Sequence, residues 1–158
     1  MSPFQIAQFN VAIMKMPLAS PPMLDFVDAL DRINALAEQA PGFVWRLQTA
    51  DGDATALRPM GENVLVNLSV WTDADALGAY VYQSAHAEIM RRRSEWFERM
   101  AEAYSVLWWV PGGYRPALSE AIDRLDRLRR LGPTAEAFSF RKPFPHPVAA
   151  PAGEQGEA

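Results

Sequence analysis

"NVLVNLSVW", residues Asn63 to Trp71, decides how the rest of this chain is read. Val64, Val66, Leu68 and Val70 fall on one side of an extended segment; Leu65, Asn67, Ser69 and Trp71 fall on the other. That period of two is the signature of a strand. Upstream, "ADGDATALRPMGE" is a loop of turn formers. Before it, "FVWRLQT" reads as another strand, with Phe43, Trp45 and Leu47 opposite Val44, Arg46 and Gln48. Downstream, Thr72 or Asp73 can cap a helix.

Working outward, "FQIAQFNVAIM" is a first strand, with Ala7, Phe9, Val11 and Ile13 facing one way and Phe4, Ile6, Gln8 and Asn10 the other. Consecutive prolines in "PLASPP" stop it. In "MLDFVDALDRINALAEQA" the positions Phe26, Val27, Leu30, Ile33, Leu36 and Ala37 form a helical stripe, which Pro41-Gly42 ends. After Asp73, "ADALGAYVYQSAHAEIMRRRSEWFERMAEAY" predicts one long helix with a break near Tyr82 to Ser84. "SVLWWVP" is a fourth strand, and "LSEAIDRLDRLRRLG" a short amphipathic helix with Leu118, Ile122, Leu125 and Leu128 in line. The order β-α-β-β-α-β plus a C-terminal helix is the ferredoxin-like split βαβ pattern of an α+β fold. It forms a single domain over residues 1–146, with residues 147–158 expected to be disordered.

Such a sheet carries helices on one face, so its strands should show one apolar and one polar side. They do not: the side with Asn10, Asn67 and Ser69 also holds Ile6, Leu65 and Trp71, and Trp108 and Trp109 point to opposite sides. A second subunit packed sheet to sheet would cover the second face, which predicts a homodimer. The C-terminal tail is the alternative cover.

The chain has 158 residues, enough for one domain and too few for two of ordinary size. A net charge of -4 disfavours general nucleic-acid binding. The absence of cysteine removes disulfides, thiolate catalysis and cysteine-bound metals. "MSPFQIAQFN" lacks the features of a signal peptide, and no stretch reaches the length of a membrane span, so a cytoplasmic protein is expected. There is no glycine-rich phosphate loop, HExxH or GxSxG. Asp25, Asp28 and Asp31 read as a solvated helix face.

The chemistry-bearing candidates cluster on the second helix. On a helical wheel Tyr82, His86, Ile89, Arg93, Trp96 and Met100 share a stripe, with His86 and Arg93 on its flank. An imidazole and a guanidinium on a largely apolar surface need a carboxylate, a carbonyl or a ligand. The plainer reading of His86 is a rim or satisfied core histidine, and of Arg93 a surface ion pair. Trp45, Trp71, Trp108 and Trp109 are most simply core and interface aromatics, with Trp71 and Trp108 as possible pocket walls. His146 stands in "FPHPV" with no spacing that pairs it with His86.

The stretches "DRINALAEQAPGFVWRLQ", "VLVNLSVW", "YVYQSAHAEIMRRRSEWF", "LWWVPGGYRP" and "EAIDRLDRLRRLGPTAEAFSF" resemble the bacterial family named domain of unknown function 3291, over roughly residues 4 to 146. The resemblance implies the dimeric α+β-barrel superfamily, which includes antibiotic-biosynthesis-type and haem-degrading monooxygenases, and a pocket between sheet and helices. It fixes no reaction. Against haem-degrading members, Asn10 matches a first-strand asparagine and His86 a second-helix ligand. The expected tryptophan is replaced by the segment around Tyr80 and Tyr82, which puts haem degradation in doubt. Against the cofactor-free monooxygenases, Asn10, Asn67, Trp71, Arg93 and Arg46 are available donors for an enolate or phenolate, with His86 as base. On alternation alone, Asn67 and Arg46 face the dimer interface instead.

Three readings follow. The first is a monooxygenase-like enzyme acting on a small molecule, with His86, Asn10 and Arg93 catalytic and Trp71, Tyr82, Ile89, Trp96 and Trp108 lining the substrate pocket. The second places haem in that pocket with His86 as axial ligand; the cofactor is thus none or haem. The third is a dimeric binding protein without catalysis. No nucleic-acid or membrane partner is expected. The stretch "FSFRKPFPHP" is a candidate strap across the pocket mouth or the partner subunit.

Overall fold

Hydrogen bonding runs β2-β3-β1-β4 across one four-stranded antiparallel sheet in the computed structural model, which describes residues 3–82 and 84–147. The strands are β1 (Phe4–Ile13), β2 (Phe43–Arg46), β3 (Val64–Trp71) and β4 (Ser105–Pro111). The helices are α1 (Leu24–Gln39, preceded by a 3-10 turn over Pro21–Met23), α2 (Ala74–Val81), α3 (Ser84–Arg91), α4 (Arg93–Trp96) and α5 (Leu118–Leu131). This is the ferredoxin-like α+β fold. Asp73 caps α2 by accepting from the Ala76 N–H at 2.8 Å. No helix among the described residues is long and apolar enough to cross a membrane. The expectation of disorder over residues 147–158 falls, from 148 onward, outside the described residues.

The helix expected after Asp73 breaks between α2 and α3 where the sequence placed a break, but it breaks again at Arg92 and ends at Trp96 rather than near Tyr104. The backbone of Tyr82 (φ -93, ψ 1) and of Arg92 (φ -91, ψ 4) leaves the helical basin. Beyond Trp96 the chain finds other partners: Glu98 N–H donates to the Ile13 carbonyl at 2.8 Å and Lys15 N–H to the Trp96 carbonyl at 2.9 Å. Pairing with the end of β1 replaces further helical bonds.

Both sheet faces are buried, as the apolar patterning requires, but the cover is supplied within the chain. Ala7, Phe9, Val11, Leu68, Val70 and Trp108 pack against Ala121, Leu125 and Leu128 of α5. Leu47, Leu57 and Met60 from the β2–β3 connection close the same cluster. Phe9 is 0% and Leu68 1% exposed in a single chain, so this apolar face does not by itself require a second subunit. α5 removes this face from water within the chain.

The second departure is in β2. The β2–β3 register shifts between Phe43, opposite Trp71, and Trp45, opposite Val70. One extra residue puts Phe43 and Arg46, three apart, on the same face, while Val44 and Trp45 turn to the α5 side. Leu47 still donates its N–H to the Leu68 carbonyl at 2.8 Å.

Candidate functional site

Between the other sheet face and α1 to α4 lies a cavity of about 660 Å³. Its floor is Gln8, Asn10, Asn67 and Ser69 from the central strands; its walls include Phe26 and Ile33 of α1, Trp71, Tyr80, His86 and Ile89. One end is formed by Arg93, Phe97 and Tyr104, and Ser139, Phe140 and Arg141 stand among the lining residues.

The floor follows from strand register. Gln8 pairs with Ser69 and Asn10 with Asn67, so period two places all four side chains on one face. Gln8 Nε2 donates to Ser69 Oγ at 2.8 Å and also to Asn67 Oδ1. Asn10 Nδ2 donates to Gln8 Oε1 at 2.8 Å, and Trp71 Nε1 donates to Ser69 Oγ at 3.0 Å. Gln8 and Ser69 are buried, whereas Asn67 is exposed in the middle of a central strand because the space above it is the cavity. Asn67 Nδ2 is the donor left over for a ligand.

Trp71 starts a wall of stacked rings. Phe43 meets it edge-on at 5.4 Å, Tyr80 stacks on it at 5.1 Å and 26° from parallel, and His86 meets Tyr80 edge-on at 5.2 Å. Tyr80 Oη donates to the Ile33 carbonyl at 3.0 Å, tying α2 to α1. Burial pushes the Tyr80 phenol up to about 12, with the Arg46 charge opposing, so the group stays protonated near neutrality. Burial also holds the His86 imidazole below its ordinary range. The Val81 backbone opposes that shift in part, yet the buried His86 Nδ1 has no hydrogen-bond partner among the described residues. A neutral imidazole is both a base and a ligand for a metal.

Of the three arginines that line the cavity, Arg46, Arg93 and Arg141, the first two are withdrawn from the surface in different states. Arg46, 9% exposed, donates from Nε to Glu38 at 3.3 Å. Half-buried Arg93 lies over the Tyr104 ring at 4.3 Å and the Phe97 ring at 5.6 Å. It has no hydrogen bond or ion pair among the described residues.

Of the residues singled out from sequence, His86, Asn10, Arg93, Trp71 and Ile89 meet in this cavity. Asn67 and Arg46, expected at an interface, are in it too. Three are elsewhere. Tyr82 is 75% exposed, because the chain leaves the α2 helix there and the common stripe is lost. Trp96 is fully buried among Met14, Met23 and Phe97. Trp108 belongs to the opposite face, where its Nε1 donates to Glu120 at 3.0 Å. Gln8, Ser69 and Tyr80 were not singled out. A glutamine and a serine on apolar strands, in register with Asn67 and Asn10, are the signal that marks the first two. Of the candidate strap, Ser139, Phe140 and Arg141 reach the lining. Among the described residues no cluster of three metal-ligating side chains occurs.

The family model described as "Domain of unknown function (DUF3291)" matches residues 5–154. No curated protein matches the chain. Similar solved structures include SnoaB, a cofactor-independent oxygenase from Streptomyces nogalater (19% identity, 72% of this chain and 96% of that one, TM-score 0.43). A putative antibiotic biosynthesis monooxygenase from Nitrosomonas europaea is 14% identical over 74% of this chain and 97% of that one, with a TM-score of 0.46. A dabb family protein with a ferredoxin-like fold from Mesorhizobium loti is 15% identical, over 72% and 98%, at 0.42.

Proposed function

The chain belongs to the DUF3291 family, and within it we propose that this protein is a monooxygenase-like enzyme for a small, acidic enol or phenol. The observation that carries the reading is a hydrogen-bonded polar floor beneath an otherwise apolar cavity, with a neutral, partly unsatisfied His86 in the wall.

In this reading His86 takes the proton of the substrate's enol or phenol hydroxyl, leaving an anion with carbanion character at a neighbouring C–H carbon or, in a phenol, at a ring C–H carbon. The rest of the negative charge stays on the substrate oxygen, where the side-chain amides of Asn67 and Asn10 donate to it. The carbanion's electron pair forms a C–O bond to dioxygen, and the proton held by His86 completes a hydroperoxide. Loss of water from it leaves a ketone. One oxygen atom stays in the product, the other leaves as water, and the substrate supplies all four electrons. The pre-bonded floor supports the anion without reorganising, which is where such a site gains most.

Oxygen uptake with a panel of activated phenols and cyclic 1,3-diketones tests this. Uptake equal to product formed, falling about 100-fold or more in His86→Ala, is the expected result for loss of a general base. No uptake across the panel, with ligands still bound, leaves a binding protein.

A second reading has one observation in its favour. The neutral imidazole of His86 would hold the haem iron, and Arg93 would pair with a propionate. Haem, when bound, would supply the oxygen chemistry itself. A haem titration gives a visible-absorption change lost in His86→Ala if this reading holds, and none if it does not.

A further inference from the structure

We propose that the ligand of this cavity is an aromatic carboxylate, and that Arg93 binds its carboxylate. The inference rests on the cavity being a ligand site, as above, but not on the reaction carried out there.

Arg93 is the one half-buried arginine without a partner among the described residues. Arg46, Arg92, Arg124, Arg127 and Arg129 each have an ion pair, and Arg58 donates to the Thr55 and Glu62 carbonyls. The acids nearby are already engaged: Glu102 pairs with Arg129 at 2.9 Å, and Asp53 accepts from the Thr55 N–H and hydroxyl at 2.9 and 2.6 Å. A guanidinium half withdrawn from water gains by finding an anionic partner.

Its setting also points to a planar anion. With its Cζ 4.3 Å from the Tyr104 ring centroid and no hydrogen bond among the described residues, the guanidinium has its N–H fork available, and that fork matches the two oxygens of a carboxylate. A phosphate dianion would leave a second charge without a fork to meet it. Three arginines line the cavity, Arg46, Arg93 and Arg141, against the two carboxylates of Asp53 and Glu102, in a chain whose net charge is -4. The cavity thus has the sign opposite to the molecule as a whole.

Position separates the two groups: Arg93, on α4, lies against Tyr104, and His86, on α3, stands against Tyr80. With Phe26, Ile89 and Phe97 as apolar walls, the space suits an aromatic acid.

Calorimetric titration with 6-hydroxy-2-naphthoate and its primary amide is the test. The wild type is expected to bind the acid about 10-fold or more tightly than the amide, as a desolvated charge pair warrants. Arg93→Met should erase that preference, with a thermal melt reporting that it folds; Arg93→Lys should keep part of it. Equal binding of acid and amide by the wild type, or a preference that survives in Arg93→Met, overturns the proposal. Binding of neither compound overturns both it and the cavity's role as a ligand site. Arg93-dependent binding of the acid with no oxygen uptake sustains it and removes only the monooxygenase reading.

Discussion

Gln8 and Ser69, directly opposite each other on the two central strands, are joined by a side-chain hydrogen bond of 2.8 Å. Ser69 also accepts from Trp71, and Gln8 holds Asn67 and Asn10, so one glutamine organises the floor. Gln8→Leu keeps the volume and removes the bonds to all three partners, Ser69, Asn67 and Asn10. A buried group left unsatisfied costs about 1–3 kcal/mol. Urea unfolding should show a loss in that range, and ligand affinity should fall as Asn67 is released.

The two tryptophans on opposite faces give a matched pair. Trp71→Phe removes the bond to Ser69 and perturbs the cavity wall. Trp108→Phe removes the bond to Glu120 on the α5 side. Each is expected to cost about 1 kcal/mol for the lost bond. Only Trp71→Phe should change ligand binding, as titration of both variants will show.

His86 makes stability depend on pH. Burial disfavours the imidazolium in the folded protein, so its folded pKa lies below the unfolded value of about 6.5. The unfolded chain then binds more protons in the window below 6.5, and stability is lost as pH falls through it. Thermal melts from pH 7.5 to 5.5 should show this loss, and His86→Phe should reduce it. If His86 is the base, the rate should stay flat above 6.5 and fall only below that.

Leu125 sits on α5, 0% exposed, against the sheet. Leu125→Ala is expected to cost about 2–5 kcal/mol by denaturant unfolding, as for other buried leucines. Sedimentation of the wild type and this variant will show whether loosening α5 promotes self-association through the sheet face.

Gly42 is the turn between α1 and β2, at φ +87. A Cβ there would meet Ala76 Cβ at 2.4 Å and Thr72 Oγ1 at 2.6 Å. Gly42→Ala therefore combines an unfavourable backbone conformation with a clash. Differential scanning should show a marked fall in Tm.

The sequence by itself determined the strands, the βαββαβ order, the turn at Pro41-Gly42 and the α5 stripe, because alternation, helical periodicity and turn chemistry are local. It also marked His86, Asn10, Arg93, Trp71 and Ile89. Only the tertiary structure decided which face each strand residue serves. The β2 bulge carried Arg46 into the cavity, since one extra residue reverses strand parity. The ends of α2 and α3 carried Tyr82 out of it and left Trp96 in the core, since a wheel holds only while the helix is continuous. For the second face the sequence pointed to a second subunit, with the C-terminal tail as the alternative cover. Apolar alternation demands a cover, but a helix of the same chain and a second subunit bury that face equally well, and here the helix is α5.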